Sequence, residues 1–119
     1  MSLPLTPEAL EAAYNYLRTC APFKGWKLPE AEEVEFHVTR HKDQEGDWEF
    51  KNGRHSVRIS QHTIGHTDSL MQAMAHEMVH MFQYITKSET PNAVHNWRFN
   101  KLAGVVCRVH GWDAKKFAL

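Results

Sequence analysis

The 119-residue chain is 42% hydrophobic and 24% charged, the balance of a soluble globular domain able to bury a core without disulfide staples. Its 14 basic residues match its 14 acidic ones, so net charge gives no argument for binding nucleic acid or a membrane surface. No apolar run reaches membrane-spanning length, no basic-then-apolar leader opens the chain, and Cys20 and Cys107 form no CxxC pair; the expectation is one cytoplasmic domain over residues 1–119 with free thiols.

Thr6-Pro7 reads as a helix start, with Thr6 as N-cap and Pro7 in the first turn. Leu10, Ala13, Tyr14 and Leu17 recur at helical spacing, and Pro22 with Gly25 closes that element. Residues 26–33 read as a loop. Residues 34–38 alternate apolar and polar, as a half-buried strand does, and residues 47–50 repeat the pattern. Asn52-Gly53 is a tight-turn dipeptide leading into a third strand over residues 56–60, so the strands predict a small antiparallel sheet. Asp68 or Ser69 caps a long helix reaching Thr86, with Leu70, Met74, Met78, Met81 and Ile85 as its apolar stripe. After a break at residues 87–91, a last helix over residues 92–109 carries Phe99, Leu102, Val106 and Val109, and Gly111 stops it. The order of elements is α+β: one helix, the sheet, then two helices. Trp26, Trp48, Trp97 and Trp112 read as core or flanking residues rather than a base-stacking set.

Histidine is the over-represented residue, at nine. His76 and His80 are four positions apart on the long helix, and four residues turn a helix by about 400°, so both imidazoles leave one face. Two nitrogens so placed reach one metal at about 2.0–2.1 Å. Glu77 is rotated about 100° from His76. It is poorly placed as a ligand, but it can hold a water on the metal and take its proton as general base. His62 and His66 share the same spacing, but Gly65 and the preceding strand place them in a loop.

A catalytic zinc needs a third protein ligand. The metzincin pattern fails, because Gln83 and Thr86 stand where it requires glycine and histidine. Glu89 lies in the turn and Asp113 past the last helix, so neither carboxylate is well placed. His95 continues the last helix's apolar stripe towards the active helix, whereas His110 lies about 22 Å further along the axis. His95 is therefore the candidate third ligand, the alternative being a buried histidine bonded to a backbone carbonyl. Tyr84, one turn beyond His80, is a candidate donor to an oxyanion, with plain packing as its alternative. Residues 54–58 are a candidate edge strand for an extended peptide.

His76-Glu77-Met78-Val79-His80, followed after a short connection by His95-Asn96-Trp97-Arg98-Phe99, resembles the SprT-like zinc peptidase domain. In that family HExxH lies on one helix and the third histidine opens the next in an HGxxF-type motif. Arg58-Ile59-Ser60 is similar to the strand ahead of HExxH there, and the resemblance spans about residues 57–100. Asn96 departs from the family's common glycine, and no cysteine quartet forms the C-terminal zinc ribbon of many members. The resemblance implies a zincin-like fold, one Zn2+ on His76, His80 and His95, and hydrolysis of protein or peptide substrates with Glu77 as base. For some members it also implies a connection to DNA or DNA-bound protein. The competing expectations are a catalytically idle, zinc-stabilised binding or scaffold domain and a DNA-associated module.

Overall fold

The computed structural model describes residues 5–62, 64, 66–91 and 93–117. Helix α1 spans Pro7–Arg18 and begins where Thr6 predicts: its side-chain oxygen accepts from the Ala9 N–H at 3.0 Å, and Pro7 occupies a position whose N–H has no helical partner. Leu10, Ala13, Tyr14 and Leu17 are all buried. Single 3-10 turns at Phe23–Gly25 and Ala31–Glu33 carry the chain to the sheet.

The strands are β1 (Val34–Thr39), β2 (Gly46–Lys51) and β3 (Arg54–Ser60), in spatial order β1-β3-β2. β2 and β3 form the expected hairpin, whose Asn52 and Gly53 both take positive φ, 54° and 77°, as a two-residue turn of the right twist requires. The sheet is nevertheless mixed, because β1 runs parallel to β3, with Val34 opposite His55 and Thr39 opposite Ser60. Alternation in a sequence says which face of a strand is apolar but not which strands are neighbours. Here β3 takes the centre, where Val57 and Ile59 lose all contact with solvent, and residues 40–45 carry the chain past its place.

One face of the sheet is polar. On it Arg58 bonds Asp47 and Glu49, at 2.6 and 3.3 Å, and Arg54 pairs with Glu35 at 3.1 Å. Such partly exposed pairs contribute at most about 1 kcal/mol each. The other face packs under α1 and α2, α1 mainly against β1 and α2 against β2 and β3.

Helix α2 spans Thr67–Ile85. It starts slightly before the predicted caps, with His66 at the N-cap and Ser69 bonding back to the His66 N–H and carbonyl. Leu70, Met74, Met78 and Met81 are buried as expected, but Ile85 is 41% exposed, since the helix end runs past the sheet's cover. Helix α3 spans Trp97–His110, later than the 92–109 reading. Asn96 is its N-cap, and Asn92 lies outside the described residues. Phe99 and Val106 face inward, Leu102 is partly buried, and Val109 is 52% exposed. Gly111 ends α3 in the left-handed conformation, at φ 76°. A short α4, Ala114–Phe117, packs back on α3 and α2. Trp26, Trp48 and Trp112 pack against the core while Trp97 stays exposed. No described helix is long and apolar enough to cross a membrane.

Candidate metal centre

His76 and His80 leave α2 one turn apart, their ring centroids separated by 5.0 Å. His95 comes from the connection ahead of α3 rather than from the helix itself. It nevertheless meets them: its Nε2 lies 3.2 Å from His76 Nε2, and one ligand atom from each of the three histidines falls within a 4.8 Å group able to hold a metal ion. Nitrogen ligands at about 2.0–2.1 Å on a tetrahedral zinc stand about 3.3 to 3.4 Å apart. The His76–His95 pair, at 3.2 Å, is already close to that spacing, and three imidazoles are a donor set that suits zinc. Beneath them lies Phe99, fully buried, with ring centroids 4.2 Å from His95, 4.7 Å from His80 and 5.1 Å from His76. One aromatic plate therefore limits the tilt of all three rings.

Burial keeps His76 and His80 neutral. His76 is pushed down to about 4, chiefly by desolvation, against the raising effect of its hydrogen bond to the Phe117 carbonyl. His80 is pushed down to about 3 by desolvation and by His76 and His95 beside it. Neutral imidazole is the form that binds a metal. Glu77, also buried, moves the other way: desolvation first, then the charges of Asp47 and Glu45, raise it to about 8 against the opposing pull of Arg58. Without a cation nearby its carboxyl holds a proton at neutral pH; in the field of a dication a carboxyl ionises.

The histidines and Glu77 line a cleft of about 1130 Å3. Residues 43–45 and the start of β2 form one wall, residues 89–91 and 93–95 the other, and Lys116 and Phe117 close one end. Among the described lining residues, Asp43, Glu45, Asp47 and Glu89 are set against the single lysine, Lys116. Gly46 brings this wall close to β3: a Cβ there would stand 2.5 Å from the Arg58 carbonyl oxygen.

Residues 54–58 are not an edge. They belong to β3, paired on both sides, so their main chain has no room for a further strand. The edge beside the cleft is β2. Because the Ser60 N–H bonds the Glu45 carbonyl at 2.8 Å, antiparallel alternation turns the main-chain groups of Gly46, Trp48 and Phe50 away from β3. Tyr84 lies outside the cleft lining. It stacks on Phe50 at 4.7 Å and packs on Trp48 and His55. His62 and His66 belong to no metal-holding group among the described residues, and Gly65 between them lies outside the described residues.

The placement of His95 rests on Asn96 and Gln83, which the sequence marks only as departures from family patterns and not as partners of each other. Asn96 Oδ1 accepts from the Phe99 N–H at 2.9 Å and from Gln83 Nε2 at 3.0 Å. Asn96 Nδ2 and Gln83 Nε2 both donate to the Ser88 carbonyl, at 3.0 and 3.2 Å. Gln83 is buried, so this amide network ties the end of α2, the turn and the start of α3 at the residue next to His95. Asn96 takes an extended backbone, φ −76° and ψ −177°, so nothing there demands glycine. The available signal was Asn96 as an N-cap residue; the burial of Gln83 comes only with the fold. Asn96→Ala is expected to destabilise the fold by about 2–3 kcal/mol, the lost cap plus the deprived Gln83 amide. Urea denaturation measures this, and a loss under about 0.5 kcal/mol would show the network to be idle.

A sequence model of the SprT-like family matches residues 14–115, from within α1 to α4. No curated protein matches the chain.

Proposed function

The chain belongs to the SprT-like family, and we propose that it is a zinc-dependent peptidase acting on unfolded or extended protein segments. The observation that carries this reading is the meeting of His95 with His76 and His80 in the wall of an open cleft, beside the buried Glu77. His76, His80 and His95 would hold the metal. Bound there, zinc supplies a Lewis acid and brings the pKa of its water towards about 7.

Glu77 takes a proton from the attacking water and returns it to the leaving amine. Its burial favours the first step, because a carboxylate poorly solvated by water is a stronger base than one on the surface. Phe99 and the Asn96 network hold the three imidazoles so that the geometry is set before substrate arrives. An extended peptide lying along β2 would bond the main-chain groups of Gly46 and Trp48, which brings its carbonyls over α2.

The acidic lining favours cationic side chains near the scissile bond. Peptides carrying lysine or arginine there are expected to show kcat/KM on the order of 10-fold above glutamate-bearing analogues at low salt, converging as salt rises. The direct test incubates an unfolded protein with the zinc-loaded chain and follows fragments by mass spectrometry, with and without a chelator. Chelator-sensitive cleavage supports the reading. Absence of fragments from a chain shown to hold zinc would favour an idle binding domain instead.

A further inference from the structure

We infer that Phe117 is a positioning residue of the metal site, its carbonyl holding His76 in the one tautomer that presents Nε2 as a ligand. This rests on the zinc reading above and adds a residue beyond the stretch that matches the family, which ends at 115. His76 Nδ1 lies 2.6 Å from the Phe117 carbonyl oxygen. A carbonyl only accepts, so Nδ1 must carry the hydrogen. A neutral imidazole has a single N–H, and Nε2 is then left with its lone pair, facing His95 Nε2 at 3.2 Å. The opposite tautomer would set two lone pairs against each other at Phe117 and bury the ligand nitrogen's pair under a proton.

The carbonyl is itself held. The Phe117 ring is buried, 5.5 Å from His76 and stacked on Trp112 at 6.0 Å. Its N–H bonds the Asp113 carbonyl at 2.9 Å, which closes α4. Trp112 Nε1 donates to Asp68 Oδ1 at 3.0 Å, so the segment is anchored to the first turn of the helix that bears His76. A metal-bound histidine whose second nitrogen is bonded in this way binds its ion more tightly, and removing such a partner costs about 10–100-fold in affinity.

The test uses the full chain with Phe117→Ala, which keeps the carbonyl but loses its anchor, and Phe117→Leu, which keeps an apolar anchor. Zinc affinity by chelator competition should fall about 10–100-fold in Phe117→Ala and stay within about threefold of wild type in Phe117→Leu. Long-range 1H–15N NMR of the zinc-free proteins should show His76 protonated at Nδ1 in wild type and in Phe117→Leu, and a tautomer mixture in Phe117→Ala. Loss of packing alone would not move the tautomer. Protonation of His76 at Nε2 in zinc-free wild type overturns the inference, even if Phe117→Ala does not fold. Unchanged zinc affinity in a folded Phe117→Ala overturns it as well. Failure of wild type to bind zinc while His76 still carries its proton on Nδ1 would overturn the metal reading itself, and the positioning role with it.

Discussion

Glu77→Gln should lower peptide-bond cleavage by about 10²–10⁴-fold, the usual contribution of a positioned general base, while leaving zinc bound. The separation follows from the helix. Glu77 is rotated about 100° from His76 and is not one of the three donors, yet it lines the same cleft. Glutamine has the shape of the carboxyl but no basic oxygen, so it preserves packing and removes the proton acceptor. The fold should tolerate the change. A Glu77 raised to about 8 by burial and by Asp47 and Glu45 is uncharged at neutral pH in the metal-free protein, and glutamine is a neutral substitute for that form. Kinetics on a cleaved peptide, with zinc content measured on the same preparation, checks both halves. Activity within about threefold of wild type would remove Glu77 from the mechanism.

His95→Ala should weaken zinc binding on the order of 10²–10³-fold. Structural zinc sites gain about 10–16 kcal/mol from their full ligand set, so one ligand accounts for about 3–4 kcal/mol of it. The loss also shows in stability. Zinc at 100 times its dissociation constant adds about 2.7 kcal/mol to the folded state, which for a chain of this size raises the melting temperature by about 10 °C. That zinc-dependent rise should be present in wild type and nearly absent in His95→Ala. Calorimetry with and without zinc measures it. An equal rise in both proteins would mean that His95 is no ligand.

His76, Glu77 and His80 were legible because helical periodicity is strong around them and four-residue spacing has a direct geometric meaning. His95 was legible as the nearest histidine, but its setting was not. Its spacing continues the last helix's stripe, whereas Asn96 caps α3 and leaves His95 in the connection. The strands were legible from their alternation, but the parallel pairing of β1 with β3 was not, since period-2 patterning carries no information on neighbours. That error also put the candidate edge strand at residues 54–58, which the true order puts at the sheet's centre. Gln83 and Asn96 are ordinary polar letters until folding brings their amides together. The Phe117 carbonyl is main chain, and no side-chain pattern could have announced it.

Zinc occupancy and coordination, read by elemental analysis and X-ray absorption on the same wild-type sample, test the three-histidine centre most directly. The expected result is about one zinc per chain, with nitrogen or oxygen neighbours alone at about 2.0–2.1 Å and imidazole scattering from three rings. Substoichiometric zinc after reloading, or a sulfur neighbour at about 2.3 Å that draws in Cys20 or Cys107, would contradict the three-histidine centre and every step built on it.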